Sequence, residues 1–237
     1  MNIASNHRAD CIVCGAELIY QNELADMTCL YCGNVFQSNA KCLKGHYICD
    51  SCHSLKAEDL IEKTSIANSG VNPLELALML MADERIKMHG PEHHFLVPAV
   101  LLSAYYNRAG EIDMKSAKII EARKRSSHVH GGFCGFYGSC GAGMGTGIFI
   151  SLILNVTPLS KEGWKLANTM TAISLARIAE FGGPRCCKRD SFIAIIEAAK
   201  FSAEYLRVSL DAGPEIKCRF NQFCRECTQQ ECPFYVG

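Results

Sequence analysis

The sequence predicts a mainly α-helical protein: a helical bundle preceded by a small zinc-ribbon or treble-clef-like module and followed by a cysteine-rich tail. Three observations lead to this prediction. Paired cysteines dominate residues 1–56, helix-length apolar segments separated by Gly, Pro and Asn fill residues 57–210, and four cysteines return in residues 211–237. We therefore expect three parts with these boundaries: a zinc-binding module, an all-α core and a metal-binding tail.

Composition excludes several classes of protein. The chain has 237 residues with 24 basic and 24 acidic side chains, so it lacks the basic excess that binding to nucleic acid needs. Its longest apolar run, residues 147–154, is far shorter than the ~20 residues of a membrane span. The first eight residues lack the apolar segment of an export signal. We expect a cytoplasmic protein that binds neither nucleic acid nor membrane.

Fifteen cysteines are the outstanding feature of the composition. Disulfides are rare in a reducing cytoplasm, and an odd number of cysteines cannot all be paired. The thiols are therefore expected to act as metal ligands or as reactive groups.

The N-terminal cysteines have the spacing of zinc knuckles. Cys11 and Cys14 form one knuckle and Cys29 and Cys32 a second, each followed by glycine, and the segment between them is long enough for a hairpin. These four thiolates predict a zinc ribbon, and a second quartet follows at Cys42, His46, Cys49 and Cys52. Spacing alone leaves open whether the quartets bind zinc sequentially or interleave. A segment of this length buries too little apolar surface to fold without metal, so both sites are interpreted as structural.

The core sequence predicts a series of helices. Asn72 is expected to cap a helix that begins at Pro73. Further helices are expected over residues 91–107, with a bend or break at Pro98, and over residues 113–125 and 141–154. Ser160 is expected to cap a helix over residues 161–181, and Asp190 to cap the last one, which ends near residue 209. Residues 211–214 are expected to link the core to the tail.

Cysteines stand at the starts of two predicted helices. Cys140 ends a glycine-rich loop that also contains Cys134, and Cys186 and Cys187 directly precede the last helix. A helix N-terminus lowers the pKa of a thiol, so we expect these sulfurs to be anionic. Arg185 and Lys188 flank the cysteine pair. Both are expected to stabilise anions.

Histidines cluster at another predicted helix start, where His93 and His94 follow Glu92, and His130 lies in the glycine-rich loop. We expect one site at one end of the bundle, with Cys134, Cys140, Cys186 and Cys187 as ligands or nucleophiles and His93, His94 and His130 as ligands or proton donors. Each residue taken alone is also typical of a buried structural side chain.

Three of these segments carry a resemblance to a known group of proteins. The runs at residues 89–94, 130–142 and 182–189 together resemble an uncharacterised cysteine-rich family found largely in anaerobic bacteria and archaea, over about residues 40–232. The resemblance implies an anaerobic context and no established reaction. The run at residues 140–147, followed by an apolar helix, is more remotely similar to a helical, redox-active family named for its cysteine and glycine pattern.

The tail carries four cysteines, Cys218, Cys224, Cys227 and Cys232, the last followed by Pro233. Such a set can hold zinc or a cubane iron-sulfur cluster, and the Cys-Pro end favours the cluster. A core cysteine could replace one of the four.

These observations predict a cytoplasmic metalloprotein of anaerobic metabolism, with structural zinc and an iron-sulfur cluster, that handles redox equivalents, sulfur or metal clusters. The alternative is a non-catalytic adaptor that docks a partner enzyme through its zinc module. The sequence leaves open whether the protein is an enzyme.

Overall fold

The computed structural model describes residues 11, 13–14, 16, 18–49, 52, 57–212 and 216–236. The N-terminal segment examined for an export signal, the expected boundary at residue 56 and residues 213–214 of the expected linker lie outside the described residues. Helices make up more than half of the fold, which confirms the mainly helical prediction. In the part of the chain that is described, no helix combines the length and apolarity needed to cross a membrane.

The N-terminal part contains one antiparallel hairpin. Strands β1 (Leu18–Thr28) and β2 (Val35–Cys42) pair with Leu18 opposite Cys42 and Thr28 opposite Val35, with an irregularity between Tyr20 and Ala25. The turn between the strands is the second cysteine knuckle, and Gly33 within it has a φ of 71°. This left-handed conformation explains the glycine after Cys32, because a side chain there would be strained. Among the described residues between the two knuckles there is one strand, β1, and its hairpin partner β2 follows the second knuckle instead of lying between them.

Eight α-helices follow within the described residues. They are α1 (Ala57–Ala67), α2 (Pro73–Met81), α3 (Glu92–Ala109), α4 (Ile112–Ser126), the short α5 (Phe133–Phe136), α6 (Gly141–Ile153), α7 (Glu162–Ala179) and α8 (Cys187–Phe201). A π-helical turn, Ser202–Leu206, extends α8, and the tail contains two 3₁₀ turns, Asn221–Phe223 and Gln229–Glu231.

Helix α3 is the centre of the bundle. It packs against α1, α2, α4, α6 and α8, and the stretch from Phe95 to Ala104 is buried throughout. A helix that is apolar on all sides is stable only when neighbours cover every side. The sequence of α3 therefore places it inside the bundle, and its N-terminus brings His93 and His94 towards the start of α6.

Pro98 does not break α3, which is continuous from Glu92 to Ala109. Proline removes the N–H that would bond to the carbonyl four residues earlier, which is that of His94. The Ser126 hydroxyl donates to this carbonyl at 3.2 Å and so replaces the lost bond. Gly145 of α6 faces the same point, where an added Cβ would lie only 2.9 Å from the Pro98 ring. The small residue lets α6 approach α3 closely.

The observed N-caps of the helices agree only in part with those predicted from the sequence. The Asn72 side chain accepts hydrogen bonds from the N–H groups of Leu74 and Glu75, which confirms the expected cap of α2. Helix α7 is capped by Lys161 instead of Ser160, and α8 begins after Cys186, whose sulfur accepts the Arg189 N–H at 3.5 Å. Asp190 therefore lies inside the first turn of α8, where its carboxylate is buried. The expected Ser160 and Asp190 caps are wrong.

Candidate metal centres

Cys11, Cys14, Cys42 and His46 form the first group of metal-ligand side chains. The Cys14 sulfur lies 3.2 Å from His46 Nδ1 and 3.5 Å from the Cys42 sulfur, and the sulfurs of Cys11 and Cys42 each lie 3.8 Å from the same nitrogen. Bonds of about 2.0–2.3 Å to a tetrahedral ion place its ligands about 3.3–3.8 Å apart. The group has the spacing for a single ion.

Cys29, Cys32, Cys49 and Cys52 form the second group. The sulfurs of Cys32 and Cys49 lie 3.9 Å apart, and the Cys49 N–H donates to the Cys29 sulfur at 3.3 Å. Although burial by itself raises the pKa of the Cys29 thiol, the N–H groups of Cys49, Cys32 and Tyr31 lower it to about 7. The backbone therefore favours the thiolate, which is the form that binds metal.

The two groups interleave along the chain, and the hairpin explains why. Strand β1 has 11 residues, and at ~3.3 Å per residue it separates the first knuckle from the second by up to ~36 Å. Strand β2 then returns the chain, so that Cys42 lies opposite Leu18 and beside the first knuckle. Of the two arrangements that spacing left open, the fold favours the interleaved one, in which the first two knuckles belong to different groups. All eight predicted ligand residues fall into these two groups.

A buried polar contact joins the second group to the helical core. The Tyr31 hydroxyl donates to Asp83 at 2.6 Å, and both side chains are buried. Arg85 donates to the same carboxylate at 2.7 and 2.8 Å and also donates to the carbonyl of Cys52. Tyr31 lies next to Cys32, and Arg85 contacts Cys52 directly, so these contacts hold the second group against the loop after α2.

The tail closes a pocket against the start of α8. All four tail cysteines line it together with Cys186, and the apolar side chains of Met88, Phe192, Phe220 and Phe234 complete much of its wall. The pocket has about 400 Å³ of space between protein atoms, part of it open to solvent. Five cysteines therefore meet in one pocket, and one of them belongs to the core, as the sequence allowed.

These five sulfurs are not arranged like the finger groups. In the described part of the chain, the sets whose ligand atoms all lie within 4.8 Å of one another are the two finger groups and a third set of His89, Cys224 and Glu226. Sulfurs that share one ion must be this close, whereas sulfurs that bind different irons of a cluster stand farther apart. Within the described residues, no three of these five sulfurs therefore lie at the mutual spacing of the finger groups.

A second thiol group lies at the other side of the α8 start. The Cys140 thiol donates to the Asp190 carboxylate at 3.9 Å, and Cys187 interacts electrostatically with both Cys140 and Cys134. Burial and then the charge of Asp190 raise the pKa of Cys140 to about 12, and the N–H groups at the start of α6 offset only part of this.

Burial also raises the pKa of Cys186, to about 12, and that of Cys187. Helix N-termini were expected to lower these pKa values, but burial raises them, because the cost of desolvating a charge exceeds the effect of the helix dipole.

The candidate histidines have different surroundings. His93 is fully buried, its Nε2 donates to the Lys87 carbonyl at 2.9 Å, and burial lowers its pKa to about 3. His94 donates from Nδ1 to the Val129 carbonyl at 2.8 Å, which leaves the lone pair on Nε2, next to Gly141 at the start of α6. His130 is exposed and packs edge-on against Phe133. Of these three histidines, His94 is the one whose second ring nitrogen the described residues place at the helix start that follows Cys140.

The charged residues predicted for the site also differ in their burial and in their contacts. Glu92 is buried and accepts the Lys87 N–H at 2.9 Å. Lys188 is buried, donates to the carbonyls of Met81 and Ile86, and lies 4.1 Å above the Phe220 ring; burial lowers its pKa to about 8. Arg185 is exposed, and its charge lowers the pKa of Cys187 in part. Arg189 lines the tail pocket, and Lys188 lies close to it, since both Cys186 and Cys218 interact with Lys188.

Sequence reasoning assigned no role to Glu226, gave Asp190 only a capping role and did not pair His89 with the tail. His89 and Cys224 are 135 residues apart, so no local spacing could have joined them. Asp190 had the appearance of a cap because it precedes an apolar run, and only the fold shows it beside Cys140.

A family of unknown function, DUF5714, matches residues 61–235. The chain belongs to this family. The match covers the helical core and the tail but not the finger residues 11–52. No curated protein and no solved structure matches the chain significantly.

Proposed function

We propose that this member of DUF5714 is a metalloprotein that handles redox equivalents, sulfur or metal clusters through an iron-sulfur cluster held between its tail and its core. The observation that carries the proposal is the meeting of Cys186 with the four tail cysteines in one pocket. The proposal places the protein in the cytoplasm of an organism with anaerobic metabolism, since exposed clusters are sensitive to oxygen. It retains the three-part division at residues 56 and 210.

The pocket fits a cluster in donor chemistry and in shape. Cysteine thiolates are the usual ligands of iron-sulfur clusters, and hydrogen bonds, charge and burial tune their potentials. Aromatic side chains form part of its wall, and Lys188 supplies a buried positive charge near two of the sulfurs. When bound, a cluster would supply one-electron chemistry or transferable iron and sulfide.

Zinc is the proposed metal of both finger groups. Sets of three cysteines with one histidine, and of four cysteines, are typical of structural zinc. Each set consists entirely of protein ligands, which leaves no coordination position for a substrate. These sites are therefore proposed to fold the module and to fix its position on the core.

The second thiol group is the proposed place of exchange with a substrate. Cys134, Cys140 and Cys187 surround the end of the bundle beside the cluster pocket, and the His94 Nε2 lone pair lies at the same helix start. The raised pKa values of the Cys140 and Cys187 thiols mean that these two sulfurs stay protonated until an electrophile or a metal displaces the proton.

An adaptor role is the second candidate, and the surface of the finger module favours it. Ile19, Leu24, Leu30, Val35 and Leu43 are large apolar side chains that are exposed on or beside the hairpin. The family match does not include the finger module. A contact made through the module would therefore occur only in proteins that have this module. In this case a partner enzyme would dock on the hairpin, and the metals would be structural or sensory.

The test is metal and sulfide analysis of full-length protein produced without oxygen. We expect brown protein with iron and sulfide, and Cys186→Ser should lower the iron content and the charge-transfer absorption. Cys187→Ser is the matched control, because it makes the same change one residue away and outside the pocket. Colourless protein containing zinc as its only metal, or equal iron loss in both variants, would contradict the proposal.

A further inference from the structure

His89, Cys224 and Glu226 bring three different metal-ligand groups to one point. The His89 Nε2 lies 3.3 Å from a Glu226 carboxylate oxygen and 3.9 Å from the Cys224 sulfur. All three ligand atoms lie within 4.8 Å of one another. Ligands of a tetrahedral ion are separated by about 3.3–3.8 Å, so the set is nearly at the spacing that one ion requires.

The set comes from two distant parts of the chain. His89 precedes α3, and the other two residues belong to the tail between the two 3₁₀ turns. The His89 side chain is mostly buried, whereas Glu226 is half exposed, so the site lies at the rim of the tail pocket. An ion there would fasten the tail to the bundle.

A cation satisfies this arrangement better than hydrogen bonds do. A carboxylate and a thiolate are both acceptors, and one proton on Nε2 can be given fully to only one of them. The Nδ1 atom is buried and has no partner among the described residues in either protonation state, so the difference lies on the Nε2 side of the ring. A divalent ion on Nε2 moves the ring proton to Nδ1 and engages all three facing groups together.

We propose that His89, Cys224 and Glu226 bind one divalent ion of the zinc type, separate from the cluster. Zinc takes nitrogen, sulfur and carboxylate ligands together, and three protein ligands leave the fourth position for water or a small anion. Such an open position is typical of catalytic and exchangeable zinc, in contrast to the closed finger sites.

One consequence rests on the proposed function. The pocket has five cysteines, one more than a cluster with four cysteine ligands needs. If Cys224 binds the separate ion, the four cysteines left for the cluster are Cys186, Cys218, Cys227 and Cys232. The core cysteine then takes the place of a tail cysteine, and Cys224 is the one that it replaces.

The experiment compares zinc and iron in full-length protein and in His89→Ala and Glu226→Gln variants, all produced without oxygen with both metals supplied. We expect about three zinc ions per chain in the parent protein and about one fewer in each variant, with iron and sulfide unchanged. Glu231→Gln is the matched control, because Glu231 is an exposed carboxylate of the same tail. Cobalt substitution gives a second readout, since each variant should lose one set of visible cobalt bands.

The outcomes separate this site from the cluster, because both variants leave every cysteine in place. Parent protein without iron, in which His89→Ala still removes one zinc, would refute the cluster while supporting this site. Equal zinc in the parent and both variants would overturn the site whatever the iron content. Loss of iron in His89→Ala would also overturn it, since His89 would then belong to the cluster.

Discussion

The contact between Tyr31 and Asp83 should be a main support of the finger module on the core. Tyr31→Phe removes the hydroxyl and keeps the ring, so packing is preserved while Asp83 loses one donor. Burial by itself raises the pKa of Asp83, but the donors on Arg85 and Tyr31 lower it overall, so the carboxylate is charged and buried. The variant leaves that buried charge with only the Arg85 donors.

The size of the effect follows from the hydrogen bond that is lost. A hydrogen bond to a charged group contributes about 1.5–3 kcal/mol, and the remaining Arg85 donors favour a value near 2 kcal/mol. For a chain of this size that loss lowers the Tm by about 4–8 °C. Because Tyr31 lies between Cys29 and Cys32, the variant should also release the ion of the second finger group to a chelator faster than the parent protein does.

The dependence on pH gives a further check. A carboxyl group with a lowered folded pKa contributes stability above its unfolded pKa and loses it as the pH falls through the folded value. The difference between parent and variant should therefore be complete at neutral pH and shrink below about pH 4, where Asp83 becomes protonated in the unfolded chain.

The assay is thermal unfolding at a fixed excess of zinc, since bound metal shifts the midpoint. Tyr137→Phe is the control, because the Tyr137 side chain is exposed and its hydroxyl should contribute less than about 0.5 kcal/mol. Equal midpoints for the two variants would refute the reasoning and would mean that the module is held to the core by other contacts.

Two further predictions concern the fingers and the packing of α6. Interleaving predicts that Cys11→Ser with Cys42→Ser removes about one zinc and Cys11→Ser with Cys29→Ser about two, whereas sequential binding predicts the reverse, as elemental analysis would show. Gly145→Ala should destabilise the protein, because overpacking against the proline ring of α3 costs about 1–3 kcal/mol and exceeds the ~1 kcal/mol gained in helix propensity. Gly135→Ala, which meets no atom within 4 Å, should not destabilise it in the same unfolding assay.

Much of the helical core could be predicted because its signals are local. Apolar segments of helix length predicted α3, α4 and α6 within a few residues, and Asn72 followed by proline marked the start of α2. Asp190 was misread as a cap because aspartate is a favoured capping residue, while a thiol such as Cys186 is not. Capping preferences are statistical. In this protein Asp190 takes a buried position in contact with Cys140 instead of the capping position.

The grouping of ligands could not be predicted, since it depends on where the chain turns. The same eight finger residues fit sequential and interleaved sites equally well by spacing. The observed grouping follows from the turn at the second knuckle, which returns Cys42 to the first knuckle. The set at His89 depends on how the tail folds back on the bundle, and no pattern within either segment encodes that contact.

The two adjacent cysteines at the start of α8 belong to different thiol groups. Neighbours in sequence suggested a single site, but Cys186 is the N-cap residue with an extended backbone, whereas Cys187 is the first residue of α8. Cys186 accordingly lines the tail pocket, while Cys187 interacts with Cys134 and Cys140. The start of α8 therefore lies between the two thiol groups and contributes one sulfur to each. A metal bound on one side and a substrate bound on the other would both contact this same short stretch of backbone.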